Sequence, residues 1–135
     1  MSPPYLLDTN AISDAMKGQP NLVRQVASKQ GAVFTSVVVK GEIRYGLDIL
    51  PLGKRRSELE AKAASILGAL TAEAITETVA KHYAATRSTV ESQGFLLGDN
   101  DLWIAATALS IGAILVTRDQ DFRRIPGLIV EDWTL

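Results

Sequence analysis

Apolar residues fall in two kinds of block along this chain: short unbroken runs, and longer stretches where they return every three or four positions. The first run, residues 4–7, predicts a short strand buried on both faces, as parallel strands are. Thr9 and Asn10 can cap a short helix through about Met16, which Gly18 and Pro20 end. A second helix over about 20–29 carries Leu22, Val23, Val26 and Ala27, and Gly31 closes it before a strand at 32–35. Ser36 suits the N-cap of a helix from about 37 to 50, with the apolar stripe Val39, Ile43, Leu47 and Leu50. After the break at Pro51 and Gly53, a charged helix over about 54–70 keeps Leu59, Ala63, Ile66, Leu67 and Leu70 on one side. Residues 73–75 read as a short strand, Thr76 as the cap of a helix to about Gln93, and residues 100–110 as a further helix. Gly112 ends that helix before a strand at 113–116, and residues 128–130 form a last strand. Strands alternating with helices, without hairpin signals, predict one α/β domain over 1–135 with a parallel sheet.

Composition narrows the chemistry more than the architecture. Of 135 residues, 47% are hydrophobic and 21% charged, enough for one real core. No apolar run approaches the roughly 20 residues of a bilayer span, so no membrane partner is expected. No basic and then apolar leader is visible, and there is no cysteine to form a disulfide, a thiolate metal site or a nucleophile. Together these favour the cytoplasm. The net charge of −1 neither supports nor excludes a polyanionic substrate. Lys54-Arg55-Arg56 reads as a solvated face, whereas Arg118, Arg123 and Arg124 flank an acid and suit a phosphate.

That acid, Asp119, is one of four carboxylates set where elements begin or turn. Asp8 and Asp119 each follow an apolar run, so neighbouring parallel strands would bring them together at the carboxyl edge of the sheet. Glu42 lies between Gly41 and Gly46, and Gly46 in a helix implies close approach of a backbone or ligand, or packing on a strand. In Gly98-Asp99-Asn100-Asp101, Asp99 or Asn100 can cap the helix, leaving Asp101 surplus beside the small Ala105 and Ala108. Asp121 competes with Asp119, either starting the turn before Phe122 or supporting a site from behind. Gathered acids repel and are costly to desolvate, so a bound cation is the usual reason for them. Oxygen-only donors spread along the chain favour Mg²⁺ or Mn²⁺ over zinc or a calcium loop. Such an ion polarises a phosphoryl oxygen and lowers the pKa of a bound water, so no side-chain nucleophile is needed. The single histidine, His82, reads as a surface or packing residue, Trp103 as core, and Trp133 as a cover for the sheet end. No phosphate-binding glycine loop is present.

Four segments then stand in a recognisable order: Leu7-Asp8-Thr9-Asn10, Val39 to Gly46, Asn100 to Ala106, and Val116-Thr117-Arg118-Asp119-Gln120-Asp121-Phe122, with the ending Ile125 to Trp133. They resemble the PIN-domain ribonucleases, specifically the VapC toxins of toxin–antitoxin pairs, over essentially the whole chain. The resemblance implies a PIN-like three-layer α/β/α domain with a parallel sheet of about five strands. It also implies Mg²⁺-dependent endonuclease action on RNA, tRNA or another structured RNA, with Mn²⁺ able to substitute. Asp8, Glu42, Asp101 and Asp119 would be the metal-binding, catalytic quartet. Thr9 or Asn10, and Thr117, would orient the acids or the water. A homodimer, and a hetero-oligomer with a VapB-type antitoxin that plugs the acidic groove, are further implications. An arginine in that plug would pair with carboxylates bidentately. Two rivals remain from the residues themselves: an RNA- or partner-binding module without turnover, and a metal-dependent phosphatase. The second is weakened because Asn10 stands where a haloacid-dehalogenase-type enzyme needs its second aspartate.

Overall fold

The computed structural model describes residues 3–135. Its five strands form one parallel sheet: β1 (Tyr5–Leu7), β2 (Val33–Ser36), β3 (Thr71–Glu73), β4 (Ile114–Val116) and β5 (Val130–Glu131), in the order β3-β2-β1-β4-β5. Helices α1 (Thr9–Met16) and α2 (Pro20–Ser28) join β1 to β2, and α3 (Val37–Asp48) and α4 (Lys54–Gly68) join β2 to β3. Helices α5 (Glu77–Ser92) and α6 (Asp99–Ser110) carry the chain back across the sheet to β4. Parallel crossovers are right-handed, so reversing their direction moves the helices to the other face. Helices α1 to α4 therefore cover one face and α5 with α6 the other, the three-layer arrangement that the resemblance implied.

Both faces of the central strands are covered, and their sequences have no polar side. Leu6, Leu7, Leu115 and Val116 are all buried, joined from α6 by Ile104, Ala105 and Ala108. The stripe on α3 behaves as predicted: Val39, Ile43 and Leu47 are buried, and Leu50 packs on the core just beyond the helix. Trp133 is buried against Tyr5 at the start of β1, with ring centroids 5.0 Å apart. Arg56, from the basic cluster, is only partly exposed and bonds to the Asp48 and Leu50 carbonyls at the end of α3. Among the described residues no helix is long and apolar enough to cross a membrane.

Local signals hold where a side chain can reach its own backbone. Ser36 caps α3 by accepting from the Val39 N–H at 3.1 Å, and Thr76 caps α5 by accepting from Val79. Gly112 takes a φ of 64°, open to glycine but strained for other residues, and turns α6 directly into β4. Asp8 caps α1 by accepting from the Ala11 N–H, as an acid directly after a strand can, while Thr9 and Asn10 lie within the helix. Two expectations shift. The third strand is Thr71–Glu73 rather than 73–75, because β2 ends at Ser36, where α3 begins, and only Phe34 to Ser36 remain to be paired. The last strand is Val130–Glu131 rather than 128–130, because the Leu128 N–H turns back to the Ile125 carbonyl.

Leu6 is fully buried in the central strand, whereas Leu52 is 86% exposed. Leu6→Ala is expected to cost about 2–5 kcal/mol in urea unfolding, and Leu52→Ala to stay within about 0.5 kcal/mol.

Candidate metal and nucleic-acid site

The chain leaves β1 toward β2 on one side and leaves β4 toward β5 on the other, which makes the β1/β4 boundary a topological switch point. A crevice opens at the carboxyl ends of two such strands. The Asp8 N–H donates to the Val116 carbonyl at 3.2 Å, so the ladder runs to the edge and sets Asp8 and Thr117 side by side. Thr117 is buried; its hydroxyl donates to Asp8 Oδ2 and accepts from the Asp119 N–H at 3.0 Å. One hydroxyl thus ties the two post-strand acids together. Asp119 also caps the following 3₁₀ turn, Gln120–Arg124, by accepting from the Asp121 N–H at 3.0 Å.

Glu42 approaches from α3 and is held at both oxygens. Thr9 Oγ1 donates to Oε1, and Asn100 Nδ2 donates to Oε2 at 3.2 Å. Thr9 rather than the exposed Asn10 is the orienting residue here. Neither Asp99 nor Asn100 caps α6, whose N-cap is Gly98 without a side-chain bond. Asp99 instead accepts from the Tyr83 hydroxyl, and Asn100 serves Glu42. Asp101 stands in the first turn of α6, half-buried and facing the other acids.

The electrostatics show a cluster of acids disfavoured by burial and by one another. Burial pushes the Asp8 carboxyl up to about 6; its bonds from Thr117 and Ala11 oppose the rise, and the charges of Asp101 and Asp119 add to it. Asp101 is likewise pushed up to about 6, first by burial and then by Glu42, Asp119 and Asp121. All five acids therefore act on one space. The donor set is oxygen only, as Mg²⁺ or Mn²⁺ requires. Among the described residues no three acids close into a ready-made cage. Mg²⁺ tolerates this, because it keeps several waters and takes one or two carboxylates directly. The residues fit such an ion.

Other predicted positions are placed differently. Gly41 and Gly46 admit no close backbone: a Cβ at either would meet nothing within 4 Å. They keep two grooves open instead. One groove of about 710 Å³ runs past Thr9, Gly41, Glu42, Asn100 and Trp103, and another of about 370 Å³ runs past Thr9, Glu42, Gly46 and Arg55. Thr9 and Glu42 form the ridge between them. Trp103, expected in the core, is half-buried and lines the first groove. His82 is half-buried in α5, as a packing residue is.

Arg118 reaches back to α1, where it donates Nε and Nη2 to the Asp14 carboxylate at 2.6 and 3.2 Å. Asp14 is a buried acid that periodicity alone did not single out, though it shares the buried face of α1 with Ala11 and Ile12. Arg123 donates to Gln120, and the Arg124 guanidinium lies 3.8 Å over the Phe95 ring.

The pattern of the PIN domain matches residues 5–128. The chain is 30% identical over 133 residues to ribonuclease VapC2 of Rickettsia felis, covering 96% of this chain and 97% of that protein. It is 32% identical over 139 residues to ribonuclease VapC1 of Haemophilus influenzae, covering 96% and 98%. The crystal structure of VapBC2 from Rickettsia felis bound to a promoter DNA fragment superposes with a TM-score of 0.86, at 29% identity and with 96% and 98% coverage.

With folded values of about 6 against an ordinary 3.8, Asp8 and Asp101 hold protons in the folded chain that the unfolded chain has lost. Their contribution to stability is present below about pH 4 and is lost as pH rises through 6. Asp8→Asn keeps the cap, since Asn serves as well as Asp there. In EDTA it is expected to melt higher than the parent at pH 7, with a smaller difference at pH 4.5. Equal melting temperatures at pH 7 would refute the charge conflict.

Proposed function

The chain belongs to the PIN-domain family, and on that premise we propose that it hydrolyses RNA phosphodiester bonds as the toxin half of a toxin–antitoxin pair. Residues 1–135 act as one PIN domain built on one core. The observation that carries the reading is the convergence of Asp8, Glu42, Asp101 and Asp119 from four elements onto the switch-point crevice. Two of them are raised to about 6 by burial and mutual repulsion.

Asp8, Glu42 and Asp101 would hold Mg²⁺ or Mn²⁺, directly or through water, and Asp119 would complete the shell. When bound, such an ion polarises the scissile phosphate and acidifies water for in-line attack. The protein supplies position. Thr117 fixes the rotamer of Asp8, while Thr9 and Asn100 fix that of Glu42. Each carboxylate oxygen has two lone pairs, so a ligand bond and a hydrogen bond coexist on one atom. Asp121 acts from behind through its charge on Asp101. Arg118 is bound to Asp14 and Arg124 lies over the Phe95 ring, so the exposed Arg123, which donates Nε to Gln120, is the better placed of the three to meet a backbone phosphate.

The two relatives bear the name ribonuclease, and VapBC-5 of Mycobacterium tuberculosis, which has the same fold, is a member of the VapBC family of toxin–antitoxin systems. For this chain the substrate is a tRNA or another structured RNA, read at unpaired nucleotides. The partner is a VapB-type antitoxin that extends an arginine into the acidic crevice, on a homodimeric toxin.

Purified protein is expected to cut total RNA at discrete positions with Mg²⁺ or Mn²⁺, and nowhere with EDTA, as read by sequencing new 5′ ends. Asp101→Asn should lower cleavage by more than about 100-fold, beyond the loss usual for groups that only support a ligand. Its circular dichroism should be unchanged. Full metal-dependent cleavage by this variant would exclude the assignment of the quartet.

A further inference from the structure

Trp103 is a large aromatic side chain that leaves the core to line a groove beginning at the acids. The groove of about 710 Å³ shares Thr9 and Glu42 with the crevice, so a strand held there passes directly along it. Apart from Glu42 its lining is uncharged. Tyr45 is 67% exposed and Ile75 46% exposed, and the half-buried Val38 completes the apolar lining. Such a lining offers no cation to a phosphate, and suits a flat, weakly polar group.

The aromatic wall is also rigid. Trp103 stacks on Tyr83 with centroids 3.8 Å apart and planes 13° from parallel, and Tyr83 is not part of the lining. Tyr83 is itself fixed, its hydroxyl donating to Asp99 and accepting from Arg87, each at 2.9 Å. Gly41 lines the groove, where even a Cβ would meet nothing within 4 Å. Asn100, with one N–H on Glu42, adds an amide that can meet the polar edge of a base.

We infer that this groove between α3 and α6 is a nucleobase subsite, in which Trp103 stacks an unpaired base adjacent to the scissile phosphate and so helps set where the RNA is cut. The inference rests on the endoribonuclease reading. Aromatic stacking is the usual way unpaired bases are held, and its worth per base corresponds to about 5- to 150-fold in binding.

The test uses a short single-stranded RNA spanning one mapped cut, with the nucleotides around the cut made abasic one at a time. For the parent protein, one abasic position should lower kcat/KM by about 5- to 150-fold. Trp103→Ala should lose a similar factor on the intact RNA and then be indifferent to that position. Trp103→Phe should recover most of the loss. In EDTA, tryptophan fluorescence should be quenched by the intact RNA and less by the abasic one. Unchanged rates and cut sites in Trp103→Ala, or no quenching by intact RNA, would overturn the subsite. Dissociation of a dimer by Trp103→Ala, with losses equal at every abasic position, would also overturn it and assign the face to a second copy. If the parent cuts no RNA with either metal, the endoribonuclease reading fails, and the quenching in EDTA still decides whether Trp103 takes a base.

Discussion

The hydrogen bond from the Asp8 N–H to the Val116 carbonyl closes the β1–β4 ladder where the crossovers change direction. Everything at the site depends on that pairing. It places the two post-strand residues in contact range, and Thr117 then converts proximity into geometry by bonding Asp8 and the Asp119 backbone with one hydroxyl. A one-residue slip in the parallel register would turn Thr117 away from Asp8, because successive strand residues face opposite sides. Burial of Leu6, Leu7, Leu115 and Val116 on both faces is what prevents the slip.

The same pairing gathers like charges under partial burial. Burial, and then the charges of the neighbouring acids, hold Asp8 and Asp101 near 6. The nearby guanidinium, Arg118, is bound bidentately to Asp14 and acts on Asp8 only through its charge. That arrangement keeps the crevice acidic while fixing the loop after β4 to α1. An arginine swung into the crevice from a partner would relieve the conflict, as a divalent cation would.

Glu42 separates this acidic crevice into a ridge with two grooves, and the glycines beside it leave both open. Charge and apolar surface thus meet within one side chain's reach. The acids suit an ion and the phosphate it would bind, and the flanking groove with Trp103 and Tyr45 suits what is attached to that phosphate.

Much of this was legible in order along the chain. Apolar runs without a polar face could only be buried parallel strands, and Ser36 and Thr76 announced helix starts because a cap reaches no further than its own first turn. The resemblance in four ordered segments pointed to the acids themselves. What the sequence could not decide were relations between elements distant in the chain. Asn100 as the holder of Glu42, the Asp14–Arg118 pair and the edge-strand bounds each depend on a partner supplied by another element. The same limit misplaced Trp103, whose position on an otherwise buried helix implied the core. Periodicity measures how apolar a face is. Only packing shows whether that face is covered or left beside the acids.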